Sequence, residues 1–254
     1  MPGVIVPSIR MRLEIVALST IPEVRAGNDL ASLIRHAAAE HGHSLDRFVV
    51  LCVAQKIVSK AEGALVDLRE IRPSALARSW AEEWKKDPRL IELILSQSRR
   101  IVKMDRGVII AETRHGFVCA NAGVDQSNVE GSDCATVLPN DPDASARRLC
   151  AALGCGAVII TDTFGRPWRE GLVDVAIGVA GLEPLNDQRG RTDRHGRKLA
   201  STIIAVADQL AAAAGLVMKK DAGCPAVVIR GFEWQPAEGS SRALLRKPDQ
   251  DLFR

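Results

Sequence analysis

The stretch AVIITDTFGRPWREGLVDVAIGVAG, residues 157–181, decides the fold class that we predict for this chain. It opens with AVIITDT (157–163), a run of apolar and branched residues that predicts a buried strand ending at an acid. It closes with DVAIGVAG (174–181), which predicts a second short strand. The polar segment between them contains carboxylate, hydroxyl and guanidinium groups beside glycines, so the end of the first strand is a candidate site for chemistry.

Strands and helices are mixed on both sides of this stretch. Further apolar runs predict strands at residues 12–18 (RLEIVAL), 47–54 (RFVVLCVA) and 225–231 (PAVVIRG). Helical spacing predicts helices at residues 141–154 and 199–218. The chain is therefore predicted to be a mixed α/β (α+β) protein. We expect residues 1–254 to form one domain, and a division into two subdomains is left open.

Two more regions have clear patterns. Residues 73–100 have helical composition, and Trp80 and Trp84 lie one turn apart, which indicates a packed helix face. Residues 108–129 predict a hairpin with its turn near Gly116, and a polar loop follows it.

Composition excludes several classes of protein. The 254 residues are 46% hydrophobic and 26% charged, which is typical of a globular protein with a substantial core. A net charge of +3 and an aromatic content of 4% disfavour a nucleic-acid-binding protein. The longest apolar region, residues 199–218, contains Asp208, so no membrane partner is expected. The six cysteines form no CxxC pair and no export signal is visible, so we expect a cytoplasmic protein with reduced thiols.

Familiar nucleotide-binding motifs are absent from the sequence. It contains no GxxxxGK[ST] and no GxGxxG after a strand, and GCGAVI at residues 154–159 lacks the third glycine. A bound nucleotide would therefore be held by metal ions and scattered basic residues instead of a glycine-rich loop.

The strongest candidate site is TDTFGRPWREG, residues 161–171. Asp162 and Thr163 offer oxygen ligands that suit a hard divalent cation. Arg166 and Arg169 offer guanidinium groups that suit phosphate or carboxylate. The alternative is that Asp162 caps a turn and the arginines are surface charges, and these residues alone leave both interpretations open.

Two further candidates lie upstream. In the loop NAGVDQSNV (121–129), Asp125 is flanked by asparagines that also offer oxygen ligands, although an ordinary turn cluster has the same composition. In AQKIVSKAEG (54–63), Lys56 and Lys60 lie four residues apart after an apolar strand. On one helical face they suit two phosphate oxygens, and a solvated first turn is the alternative.

The remaining polar residues carry weaker signals. The arginine-rich loop at residues 187–199 is a lid, an anion contact or a solvated loop. His115 and His195 have no neighbouring nucleophile or acid pattern, so no catalytic triad is predicted.

Five segments, in this order and spacing, resemble the coenzyme F420-0:gamma-glutamyl ligase family. They are AQKIVSKAEG, CANAGVDQSNV, IITDTFGRPWREGLVDVAIGVAG, ADQLAAAAGLVM and PAVVIRG. The resemblance implies a GTP-dependent enzyme of coenzyme F420 biosynthesis. Such an enzyme joins L-glutamate to the deazaflavin precursor F420-0 through an acyl phosphate and releases GDP and phosphate.

The same resemblance implies a fold, cofactors and partners. The fold would be the family's own, in an intertwined homodimer. Magnesium or manganese, often with potassium, would be the metal ions, and GTP the co-substrate. The other partners would be F420-0 and L-glutamate. Some bacterial relatives carry a C-terminal flavin-binding reductase domain, which this sequence, ending at Arg254, lacks, so FMN is not expected.

Carried over position by position, the resemblance implies metal ligands at Asp125, Asp162 and Thr163. The implied nucleotide contacts are Ile21, Pro22, Glu23, Val24, Gln55, Lys56, Lys60, Asn128, Lys219, Lys220, Asp221, Ala222, Gly223, Cys224 and Pro225. The predicted catalytic residues are Asp125, Asp162 and Arg166. The anion-binding role of Arg166 and Arg169 is an interpretation of this sequence and not part of the resemblance.

The sequence departs from the family pattern at MKKDAGCP, residues 218–225. Lys219 and Lys220 stand where relatives have a glycine and often an acid, which leaves Asp221 as the only acidic group and the ligand of a second metal ion undefined. Two other functions stay open. One is a related amide ligase with a different carboxylate acceptor, and the other is a non-catalytic protein that binds a nucleotide or a deazaflavin.

Overall fold

A five-stranded sheet runs through the centre of the protein. The structure is a computed structural model that describes residues 12–128, 131, 133–219 and 221–251. In spatial order the strands are β1 (Glu14–Leu18), β12 (Ala226–Arg230), β2 (Val49–Ala54), β8 (Ala157–Arg166) and β9 (Arg169–Ala180). Strands β2 and β8 are parallel, and the other three neighbouring pairs are antiparallel.

Helices cover both faces of the central part of this sheet, which explains why β2, β12 and the first half of β8 are apolar. The covering helices are α1 (Leu30–Glu40), α5 (Pro142–Leu153) and α6 (Val206–Met218). In β2, residues 49, 51 and 53 pack into a core with α1 and α5. Residues 50 and 52 pack into a second core with α6 on the opposite face.

A third core lies beside the central sheet. It is formed by α3 (Ala75–Trp84), α4 (Pro88–Gln97) and the antiparallel strands β4 (Ser98–Asp105) and β5 (Val108–Thr113). Strand β6 (Val118–Ala120) pairs with β5 in the same sheet. Trp80 is 9% exposed, and its ring centroid lies 6.4 Å from that of Trp84, so the predicted packed helix face is confirmed.

The remaining elements are short. They are α2 (Gln55–Ala61), the pair β3 (Leu65–Asp67) and β7 (Cys134–Thr136), the pair β10 (Leu185–Asp187) and β11 (Ile203–Ala205), and 3-10 helices at Leu68–Glu70, Asn121–Gly123, Ser241–Leu244 and Pro248–Gln250. Within the described ranges, no helix is long and apolar enough to cross a membrane.

The structure confirms a mixed α/β protein, but three predicted boundaries were wrong. The helical region at residues 73–100 is two helices followed by a strand, because Lys85 adopts a left-handed φ of 51° and Pro88 starts a new helix. The helix at 199–218 begins only at Val206, since β-branched residues before it pair with β10. The polar segment 161–171 is mostly strand, because β8 and β9 extend to a turn at Trp168.

The carboxylate of Asp143 joins three parts of the fold. It stands in the first turn of α5 and is 7% exposed. Its Oδ1 accepts the backbone N–H groups of Val179 and Ser241, each at 2.8 Å. Its Oδ2 accepts the hydroxyl of Ser240 at 2.7 Å. One side chain therefore ties α5 to β9 and to the C-terminal segment.

We expect Asp143→Ala to lower the free energy of unfolding by about 2–4 kcal/mol, because two buried N–H groups lose their acceptor. Asp143→Asn should lose less, since its amide oxygen still accepts. Urea denaturation measures both variants, with the exposed Asp249→Ala as a control that should remain near wild type. Equal stabilities for Asp143→Ala and Asp249→Ala would contradict this role.

Candidate functional site

Several chain segments meet at one edge of the central sheet and enclose a cavity of about 670 Å³. Because β2 and β8 are parallel, Ala54 at the end of β2 pairs with Thr161 of β8, which continues past this point to Arg166. The antiparallel β12 begins here and β1 ends here, since Ala226 pairs with both Val53 and Leu18. The loop after β1, helix α2 after β2 and the loop before β12 are thereby brought together.

Most of the predicted site residues line this cavity. They are Ile21, Pro22, Glu23, Val24, Gln55, Lys56, Lys60, Asp125, Asn128, Asp162, Thr163, Lys219, Asp221, Gly223, Cys224 and Pro225. Ala222 lies in the same loop without lining the cavity. Lys220 lies outside the described residues. Segments distant in sequence thus converge as the combined motifs suggested.

Lys56 follows β2 directly and holds the loop that contains Asp125. Its Nζ donates to Asp125 Oδ2 at 2.9 Å, to Ser127 Oγ at 2.7 Å and to the Ser127 carbonyl at 2.8 Å. Its side chain is mostly buried. An ammonium group is therefore fixed inside the cavity by a carboxylate and by a loop.

Lys60 lies one turn further along α2 and is also buried. Its Nζ forms an ion pair with Glu23 and donates to the Asn128 carbonyl at 2.7 Å. The loop after β1 and the loop that contains Asp125 are therefore both bound to α2. The two lysines lie on the cavity side of the same short helix.

Asp125 is positioned by backbone pairing as well as by Lys56. Its N–H and C=O groups both pair with Thr136, at 3.0 and 2.8 Å. Burial raises the pKa of the Asp125 carboxyl, but the hydrogen bonds from Lys56 and from the Ser127 N–H outweigh it, and the pKa lies below its ordinary value. Asp125 is therefore an anion near neutral pH.

Asp162 lies at the same edge in a different electrostatic environment. Burial, chiefly, together with the negative charges of Asp125 and Asp174, raises its carboxyl pKa from 3.8 to about 7. A hydrogen bond from the Thr163 N–H at 2.9 Å and the charge of Lys56 partly oppose this rise. The positive charge near Asp162 is thus too small to offset the cost of burying its carboxylate form.

This donor set fits a divalent cation bound together with an anionic ligand. Asp125, Asp162 and Thr163 offer oxygen atoms, the ligands that Mg²⁺ and Mn²⁺ prefer. The described residues contain no group of three or more His, Cys, Asp and Glu side chains arranged to hold a metal ion. Magnesium sites commonly use one or two carboxylates and complete the shell with water and phosphate oxygens, which matches this arrangement.

Some other lining residues expose mainly their backbone to the cavity, and the side chain of Gln55 is hydrogen-bonded within the protein. Ile21 and Val24 are buried in the core with α1, so mainly backbone atoms of this segment are available to a ligand. Gln55 is buried, and its Oε1 accepts the Ser59 hydroxyl at 2.8 Å. Lys219 has a left-handed φ of 41°, a conformation that is strained for a lysine.

The structure does not bring Arg166 or Arg169 to the cavity. Both flank the turn of the β8–β9 hairpin, which extends further than the sequence suggested. The Arg166 guanidinium donates to the carbonyls of Glu170 and Gly171 across this turn. Arg169 is exposed. A contact of either arginine with an anion stays a prediction.

Among the lining residues that the sequence analysis did not assign to the site are Leu172, Asp174, Gly215 and Leu216. Asp174 stands opposite Thr163 in the β8–β9 register. A hairpin interpretation of residues 157–181 would have found it, because pairing fixes which side chains are neighbours. Nothing in the helical pattern of α6 marked Gly215 or Leu216 as cavity residues.

Comparison with known proteins agrees with the resemblance of the five segments. Residues 19–231 match the family described as F420-0:Gamma-glutamyl ligase. A protein of Methanothermobacter thermautotrophicus is 48% identical over 252 residues, covering 96% of this chain and all of the relative. Proteins of Methanopyrus kandleri and Methanocaldococcus jannaschii are 48% and 38% identical, each covering 96% of this chain and 98% of the relative. All three are named coenzyme F420:L-glutamate ligase.

The raised pKa of Asp162 predicts a pH-dependent cost to stability. Between pH 3.8 and about 7 the folded protein keeps a proton on Asp162 that the unfolded chain has released, so this residue's contribution to stability falls as the pH rises through that window. We expect Asp162→Asn to raise the free energy of unfolding by about 2–4 kcal/mol near pH 8.

This gain should shrink as the pH falls toward about 4, where Asp162 is protonated in either state. Urea denaturation in the presence of a chelator, repeated across this pH range, measures it. The exposed Asp249→Asn serves as the control. A gain that does not change with pH would show that burial of the Asp162 charge is not its cause.

Proposed function

The chain belongs to the F420-0:gamma-glutamyl ligase family, and on this premise we propose that it is an enzyme that joins L-glutamate to coenzyme F420-0, using GTP. One observation carries the proposal. A single cavity contains two buried lysines, suited to phosphate, and two carboxylates with a hydroxyl, suited to a divalent cation. A reaction that brings a carboxylate to a triphosphate needs both kinds of group.

In the first step, a carboxylate oxygen of F420-0 attacks the γ-phosphorus of GTP, and GDP leaves with the electron pair of the broken bond. Lys56 and Lys60 bind phosphate oxygens, which then replace Asp125 and Glu23 as partners of the two ammonium groups. These positive charges reduce the repulsion between the carboxylate and the triphosphate and hold the reacting atoms in line.

A magnesium or manganese ion held by Asp125, Asp162 and Thr163 would supply further positive charge against the γ-phosphate. The deficit of positive charge around Asp162 supports this assignment, because a bound cation would favour its carboxylate form. In the structure Asp125 is paired with Lys56, and the proposed transfer of Lys56 to phosphate would make Asp125 available as a ligand.

In the second step, the amino group of glutamate attacks the acyl carbon of the acyl phosphate, and inorganic phosphate leaves. This route requires no nucleophilic side chain from the enzyme. It agrees with the absence of any triad pattern around His115 and His195 in the sequence.

The mouth of the cavity suits the aromatic end of the acceptor. Leu172 on β9 and Leu216 on α6 both line the cavity and are 63% and 76% exposed. Large exposed apolar side chains next to a polar cavity commonly mark a binding surface. We assign them to the deazaflavin ring, which would leave the carboxylate of F420-0 directed toward the lysines.

We also propose that the enzyme acts as a homodimer and that potassium stimulates it, as the family resemblance implies. Exposed Val102, Val108 and Val118 on the sheet β4–β5–β6 support self-association, because such side chains gain from burial at an interface. Light scattering at several concentrations tests the dimer. Replacement of potassium by sodium in the assay tests the stimulation.

The decisive experiment incubates the purified protein with F420-0, L-glutamate, GTP and manganese. Mass spectrometry should show glutamylated F420, with one GDP released per glutamate added. GTP binding without GDP release would identify a non-catalytic binding protein. Product formation only with another carboxylate acceptor would identify a related amide ligase.

We expect Lys60→Ala to raise the KM for GTP by about 10- to 100-fold, because a charge-assisted contact with phosphate is lost. The KM for glutamate should stay within about twofold of wild type, since Lys60 is assigned to the nucleotide. Initial-rate kinetics measure both constants. Lys103→Ala, an exposed lysine on β4, is the control. A change in the KM for glutamate alone would indicate that Lys60 contacts the amino acid and not the nucleotide.

We expect Leu216→Ser to raise the KM for F420-0 by about tenfold and to leave the KM for GTP unchanged, because apolar contact with the ring is lost. The matched control is Leu76→Ser, a leucine of α3 that is 57% exposed and does not line the cavity. Equal KM values for F420-0 in the two variants would show that Leu216 does not contribute to acceptor binding.

A further inference from the structure

The side chains of Thr163 and Asp174 form a pair inside the cavity. They are register partners across β8 and β9, and both line the cavity. The Thr163 hydroxyl donates to Asp174 Oδ1 at 2.6 Å. A distance this short is typical of a hydroxyl that donates to a carboxyl group. The single hydroxyl proton of Thr163 therefore points at Asp174.

The neighbouring helix leaves space for this carboxylate. Gly215 lies within α6, where glycine weakens a helix relative to alanine. A Cβ at this position would lie 2.5 Å from Asp174 Oδ2 and 2.9 Å from its Cγ. Any larger residue would displace the carboxylate, so the helix backbone and Asp174 fit each other closely.

Strand β9 is also hydrogen-bonded to α6 two residues after Asp174, at Ala176. Asp208, in the first turn of α6, accepts the Ala176 N–H at 2.9 Å. This bond lies where the β8–β9 register shifts between Ile160 and Thr161. The backbone that holds Asp174 is therefore bound to the same helix that provides space for its side chain.

We propose that Asp174 is a positioning residue for the divalent cation and acts through Thr163. A hydroxyl has one proton and two lone pairs. When the proton is held by Asp174, the lone pairs of Thr163 are available toward the cavity, which Asp162 also lines. Carboxylates that orient a ligand in this way are a common second layer around metal sites. This inference rests on the proposed function, which assigns Thr163 as a ligand.

The test measures Mn²⁺ binding by electron paramagnetic resonance in the presence of GDP, so it does not depend on turnover. We expect Asp174→Asn to weaken Mn²⁺ binding by about 10- to 100-fold. Gly215→Ala should weaken it as well, because its methyl group displaces the Asp174 carboxylate. Glu170→Gln removes an exposed acid from the same strand and should have no effect.

A double-mutant cycle with Thr163→Val separates positioning from a direct effect of the Asp174 charge. In the Thr163→Val background, Asp174→Asn should cause no further loss of Mn²⁺ affinity. A full additional loss would show that Asp174 acts on the cation itself and would overturn the positioning role. Circular dichroism on each variant verifies that the fold is retained.

Two outcomes distinguish this inference from the proposed function. If the wild-type protein binds Mn²⁺ with GDP and Asp174→Asn binds it equally well, the positioning role is overturned and the proposed function is unaffected. If the wild-type protein binds no Mn²⁺ under these conditions, both the cation assignment and the role of Asp174 are overturned.

Discussion

The parallel pairing of β2 with β8 is the constraint on which the rest of the site depends. In a sheet whose other neighbouring strands are antiparallel, this pair places the end of β2, at Ala54, beside Thr161, where β8 becomes polar. Polar residues that follow buried strands are thereby collected in one place: Lys56 after β2, and Asp162 at the corresponding point of β8. Without this pairing, the lysines and the buried acid would lie at opposite ends of the sheet.

The same edge combines unlike charges at some cost to stability. The charges of Lys56 and Asp125 neutralise each other in an ion pair. The carboxylate of Asp162 is buried close to two other carboxylates, those of Asp125 and Asp174, which disfavours its charged form. Functional sites commonly retain such unfavourable arrangements of charge, because a bound ligand offsets them. The large cores on both faces of the sheet supply the stability that this edge lacks.

Much of the fold was predictable, because apolar runs and helix signals are local. The strands at residues 12–18, 47–54 and 225–231 and the helix at 141–154 needed only hydrophobic patterning and caps. Strand register and helix rotation are not local properties. They determine that Asp174 faces Thr163, that Leu216 reaches the cavity mouth and that Arg166 lies at a distant turn. Resemblance to a family identified many cavity residues but did not predict these positions of Asp174, Leu216 and Arg166.

The position of β1 at the edge of the sheet has a consequence during synthesis on the ribosome. Among the described strands of this sheet, its neighbour is β12, which is close to the C-terminal end of the described chain. Of the described strands, β1 is synthesised first and β12 last, so β1 has no strand partner in this sheet until β12 has left the exit tunnel. Residues of the loop after β1 and of the loop before β12 both line the cavity, so the cavity is complete only once β12 has been made. A nascent chain thus cannot complete its site by stages, and an interrupted one would expose a strand edge to chaperones or to aggregation.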